Sequence, residues 1–114
     1  LPLDGNNEGY VLTFSKDQIP QAKRFWSVTA YTPQSIELID NSADKYDVAS
    51  YLPGLETAED GSISIYVARE LPAGVPAANW LPVSHRRFNL MLRVYGPAGS
   101  VADNTYIPPG IQRL

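Results

Sequence analysis

The chain has a single histidine, His85, set in Ser84-His85-Arg86-Arg87. Any Ser-His-Asp arrangement would have to pass through it, and no Gly-x-Ser-x-Gly elbow is present to offer a serine. The plainer reading is an exposed loop histidine between a proline turn and a strand. Oxygen donors alternate in Asp40-x-Ser42-x-Asp44, as in a calcium loop, but Lys45 stands where the glycine belongs and the distant glutamate is missing. Short Asp/Asn/Ser clusters of this kind bond their own backbone in turns. Glu56, Glu59 and Asp60 are close in sequence. A glycosidase pair, however, needs carboxyl groups held about 5–9.5 Å apart across a substrate, and loop proximity imposes no such spacing. No catalytic residue, metal site or cofactor is therefore assigned. The absence of cysteine excludes disulfides, thiolate chemistry and cysteine-ligated metals. No Gly-x-Gly-x-x-Gly or Walker-type loop supports nucleotide binding.

Aromatic side chains are the remaining resource: two Trp, seven Tyr and three Phe. Core packing accounts for most of them, since large aromatics dominate β cores. Trp80 is the exception considered for binding. It lies in a loop between Asn79 and Leu81-Pro82, where an indole either plugs one end of a sandwich or stands at a ligand surface. The candidate ligand-binding residues are Asn79, Trp80 and His85.

The elements that would position these groups read as short strands. Tyr10–Phe14 is rich in aromatic and β-branched residues. Arg24–Tyr31 carries Trp26, Val28 and Ala30 on one face and Phe25, Ser27, Thr29 and Tyr31 on the other, so both faces are expected to be covered. Ser35–Ile39 returns as a third strand, and Tyr46–Tyr51 is a further short one. Ile63, Ile65 and Val67 alternate with polar or small residues. Phe88, Leu90, Leu92 and Val94 point inward against Asn89, Met91, Arg93 and Tyr95. Leu71–Ala78 holds two prolines and a glycine and reads as loop. Pro97–Thr105 makes a helical turn or a loop, and Ile111–Leu114 adds an edge strand. Pro20 interrupts the one stretch, Asp17–Phe25, with any helical periodicity. Arg93, amid a strand, is expected to pair with a carboxylate if covered.

The chain has 114 residues, which fits one domain spanning 1–114. With 44% hydrophobic and only 18% charged residues it is not disordered, and its ten prolines and eight glycines are scattered as turns of an all-β fold would require. The expected fold is an antiparallel β-sandwich with jelly-roll-like connectivity. A net charge of −3 with no basic run argues against nucleic-acid binding. No apolar run approaches the roughly 20 residues that cross a bilayer, so this segment is not expected to insert in a membrane. The opening Leu1-Pro2-Leu3-Asp4-Gly5 reads as the start of a fragment or processed product.

Several segments stand in a telling order: Phe25-Trp26-Ser27-Val28-Thr29-Ala30-Tyr31, then Asp60-Gly61-Ser62-Ile63-Ser64-Ile65-Tyr66, then Asn79-Trp80-Leu81-Pro82, then Phe88 to Pro97 with Leu92-Arg93-Val94-Tyr95. Together they resemble the DUF1214 family, usually the C-terminal module of bacterial proteins that also carry a DUF1254 domain. The resemblance runs from about Gly9 to Arg113. It implies a jelly-roll-like β-sandwich paired with a second β domain of the same protein, and a bacterial envelope or periplasmic setting. It implies no activity, because the family has no agreed one. After Asn79-Trp80-Leu81-Pro82 the family tends to place Ala-Pro and a small or glycine-bearing turn. This chain has Val83-Ser84-His85-Arg86-Arg87 instead, so His85 is not expected to be a shared catalytic group.

Two functions are consistent with these observations. The first is a non-catalytic structural or binding module that packs on a partner β domain, with a homo-oligomer as a further form of association. The second is part of a hydrolase or carbohydrate-active protein, with a site near the Asn79-Trp80 loop.

Overall fold

A computed structural model describes residues 3–4, 9–31, 45, 47–84, 87–103 and 105–114. The strand expected at Ser35–Ile39, the turn at Asp40–Asp44, most of the turn at Asp4–Asn7, and His85 and Arg86 lie outside the described residues.

Two sheets pack face to face, as expected of an all-β sandwich. The first has the order β1 (Leu3–Asp4), β7 (Arg87–Pro97), β3 (Ala22–Tyr31), β4 (Asp47–Ala49). The second has the order β6 (Trp80–Pro82), β5 (Ile63–Ala68), β2 (Tyr10–Phe14), β8 (Ile111–Arg113). All pairings are antiparallel except β5 with β6, which run parallel with Tyr66 opposite Trp80 and Val67 opposite Leu81. The antiparallel sandwich thus carries one parallel pair among the described strands, and this pair corrects the reading of Trp80-Leu81-Pro82 as loop: it is a strand. The connection from Ala68 to Trp80, which holds Leu71 to Ala78, makes the parallel return, and a 3-10 turn at Ala77–Asn79 leads into β6.

Period-2 patterning produces the core. Leu12, Phe14, Trp26, Val28, Ile63, Ile65, Val67 and Phe88 are buried as expected, joined by Tyr10, Val48, Leu81 and Val83. Two aromatic pairs pin the sheets: Phe14 to Trp26 at 5.3 Å and Tyr10 to Phe88, edge-to-face, at 5.9 Å. They set β2 over β7 and β3, while β4 lies against β6 at the opposite flank. At Gly9, φ is +141° and a Cβ would stand 2.9 Å from both the Ala68 Cβ and the Val67 carbonyl oxygen, so only glycine fits this entry to β2.

Two expectations change in detail and two others are met. Leu90, Leu92 and Val94 face inward but are only half-buried. Arg93 lies exposed on the outer face, its guanidinium 5.4 Å from the Tyr31 ring centre, because alternation along β7 turns it away from the core. Ser27 and Thr29 are buried on the outer face of β3, so both faces of that strand are covered. The segment after β7 does form one helical turn, α1 (Gly99–Ala102).

Candidate functional site

Pro76 starts the 3-10 turn with extended backbone, and that turn delivers Asn79 into the interior at 3% exposure. The Asn79 amide is then fully occupied. Its Oδ1 accepts from the Glu56 N–H at 2.9 Å, and its Nδ2 donates to the carbonyl oxygens of Ser64 at 2.9 Å and Glu56 at 3.1 Å. Asn79 thereby ties the 52–62 loop to β5. Trp80 is half-buried, and its indole N–H donates to the Ala68 carbonyl oxygen at 2.9 Å, along the parallel partner strand. The structure thus brings Asn79 and Trp80 side by side at the start of β6, while His85 lies outside the described residues. On both named residues the polar atoms address backbone of this chain.

The acidic cluster resolves into turn chemistry. Asp60 Oδ1 accepts from the Ser62 N–H at 2.9 Å and the Ser62 hydroxyl at 2.6 Å, which holds the exposed Asp60 carboxyl below its ordinary pKa. Glu56 and Glu59 are exposed. Lys45 donates to the carbonyl oxygens of Ala77 at 2.9 Å and Ala78 at 3.3 Å, and burial pulls its pKa down against the raising effect of Asp47. It braces the 3-10 turn that carries Asn79. Among the described residues no group of three or more His, Cys, Asp or Glu side chains could hold a metal ion. The Ser84 hydroxyl is buried and meets no hydrogen-bond partner among the described residues.

Two clefts lie elsewhere. One of about 410 Å³ is lined by Arg69, Glu70, Leu71, Pro72 and Leu114. The other, about 190 Å³, opens between the sheets and is lined by Leu12, Leu90, Leu92, Pro108, Pro109 and Ile111 among others, all apolar. Neither has Asn79 or Trp80 among the described residues that line it.

Sequence reasoning missed one surface. On the outer face of β3 and β7, Phe25 stacks on Tyr95 at 4.3 Å and meets Tyr51 edge-on at 5.0 Å. Tyr51, Met91 and Tyr95 are exposed there, beside Arg93 over Tyr31. The signal was present in the aromatics on both faces of β3, but register alone decides which strand neighbours join them.

No curated protein matches this chain. A similar solved structure is the crystal structure of the VPA0106 protein from Vibrio parahaemolyticus, a Northeast Structural Genomics Consortium target. It is 26% identical, with a TM-score of 0.81, and the match covers 98% of this chain. The chain spans only 27% of that protein's length. The DUF1214 family, described as a protein of unknown function, matches residues 1–99. The order of segments noted in the sequence and the β-sandwich that they form agree with this match, and the chain belongs to the DUF1214 family.

Proposed function

We propose that this chain is a non-catalytic β-sandwich module that packs on a second β domain within a longer protein. The observation that carries the reading is the pairing of 98% of this chain with 27% of the Vibrio protein, in which the same fold is one part of a much longer polypeptide. The surface supports it. Exposed Tyr51, Met91, Tyr95 and Arg93 are the residue types that concentrate at the cores of protein interfaces, where Lys, Glu and Asp are scarce. The same apolar surface would serve self-association if two copies met. A bacterial source is favoured by the Vibrio relative, and an envelope setting rests on the family resemblance. Jelly-roll-like connectivity is favoured by the way consecutive strands change sheets, from β2 to β3, β4 to β5 and β6 to β7.

The test is to split the full-length protein that carries this chain, express the two parts together and purify by a tag on one. Co-elution of the parts, abolished by Tyr95→Glu or Met91→Glu in a folded chain, supports docking. Separate elution at micromolar concentration argues against it.

A ligand site near Asn79, Trp80 and His85 is the second reading, favoured by the half-exposed Trp80 ring. It is weakened by the commitment of the Asn79 amide to backbone. A panel of glycans that shifts the melting temperature of wild type, but not of a folded Trp80→Ala variant, would raise it.

A further inference from the structure

One flank of the sandwich is open among the described residues. On the first sheet the described pairs of β1 with β7 are Leu3 opposite Phe88 and Asp4 opposite Arg87. From Asn89 to Tyr95, β7 has β3 on one side and, among the described residues, no strand on the other. On the second sheet, the outermost strand among the described residues is β8, only three residues long. Tyr10 on Phe88 and Leu12 opposite Ile111 place these two edges on the same flank. Between them lies the apolar cleft of about 190 Å³.

The side chains bear the mark of this opening. Ile111 is opposite buried Leu12 and so faces the interior, yet it is 41% exposed. Leu90, Leu92 and Val94 face inward and are half-buried, whereas Ile65 and Val67, in the middle of the second sheet, are fully buried. Natural proteins cover or blunt a long edge strand, because its unpaired N–H and C=O groups are a template for another strand. An edge with alternating apolar side chains above a cleft is the geometry of strand addition, in which backbone pairing gives affinity and pockets take alternate side chains.

We infer that this flank receives an extended strand from the remaining part of a longer chain, antiparallel to β7 and in line with β1. The inference rests on the docking reading above and adds a second contact surface, separate from the outer aromatic face. The length of the Vibrio protein beyond the matched part supplies the source. Because β1 runs antiparallel to β7, a strand that continues its line past Met91 and Arg93 would come from polypeptide ahead of β1 in the longer chain. Its inward side chains close over Leu90, Leu92 and Ile111. A small apolar molecule would fill the cleft but offer no pairing to the β7 edge, which among the described residues has no strand beside it from Asn89 to Tyr95 on the side away from β3, so a strand is the fitting occupant.

Residue-resolved amide hydrogen exchange on the full-length protein tests this. Alternate amides of β7 between Asn89 and Tyr95 point away from β3. The added strand slows them about 100-fold or more relative to the same residues in a short unstructured peptide, as expected for paired edge backbone. If these amides exchange as fast as in the peptide while Tyr51 and its neighbours are protected, the strand inference fails and docking survives on the outer aromatic face. If neither surface is protected, both readings fail. Protection that disappears on dilution, together with a dimer in sedimentation, identifies a second copy as the occupant and overturns the assignment. Protection gained only on adding a fatty acid or alkane probe overturns it in favour of a small apolar ligand.

Discussion

The side chain of Asn79 and the backbone of Glu56 hold each other in both directions: Asn79 Oδ1 accepts from the Glu56 N–H and Asn79 Nδ2 donates to the Glu56 carbonyl oxygen. An amide side chain mimics a strand neighbour here, pairing with one residue of a loop that has no ladder of its own. Replacing Asn79 by Ala leaves part-buried backbone groups of Glu56 and Ser64 without this partner, each costing up to about 1–3 kcal/mol. We expect Asn79→Ala to lower the urea midpoint strongly, with Asn79→Asp close behind, because the acid lacks the amide donors. Urea denaturation followed by tryptophan fluorescence checks this; a loss within error of zero would show that the loop is held by other contacts.

Ser84 gives the opposite expectation. Its hydroxyl is buried without a hydrogen-bond partner among the described residues, and an unsatisfied buried hydroxyl costs about 1–3 kcal/mol. Ser84→Ala should therefore leave stability unchanged or raise it. A clear loss of stability would mean that the hydroxyl has a partner in solution.

Tyr106 fastens the C-terminal segment, its hydroxyl donating to the Gln18 carbonyl oxygen at 2.5 Å. Burial pushes its pKa above 10.0. In the folded chain Tyr106 therefore keeps its proton to higher pH than in the unfolded chain, so its contribution is complete below pH 10.0 and is lost as pH rises through the folded value. Unfolding measured on both sides of pH 10.0 should show this alkaline loss in wild type and a smaller one in Tyr106→Phe. An identical pH dependence in the two proteins would remove Tyr106 from the account.

Much of this architecture was legible because period-2 patterning is strong where one face is covered. Ile63, Ile65 and Val67 showed their strand and their buried face directly. The misreading lay at Trp80-Leu81-Pro82, too short for any period and preceded by a proline-rich stretch, where pairing with β5 rather than local propensity makes the strand. At Asn79 the sequence shows an amide beside a turn but not its partners, because the Glu56 and Ser64 backbones that it bonds are distant in sequence. Leu92 shows the limit of patterning from the other side: alternation gives its direction, but whether anything lies opposite depends on where β8 stops.

That limit makes a prediction. Truncating fully buried Ile65 to Ala should cost about 2–5 kcal/mol, as for other core aliphatic residues. Leu92→Ala in the 114-residue chain should cost about half of that or less, because its site already faces an open cleft. In the full-length protein the two losses should converge. Equal losses in the short chain would mean that Leu92 is already packed as core.

The most direct test of the docking account is the stability of this module alone and within the full-length protein. Unfolding by urea, read from Trp26 and Trp80, should occur at a clearly lower midpoint in the 114-residue chain than in the longer polypeptide, where docking adds to the free energy of the folded state. The same midpoint in both, with the module unfolding independently of the rest, would contradict the claim that it packs on a partner domain.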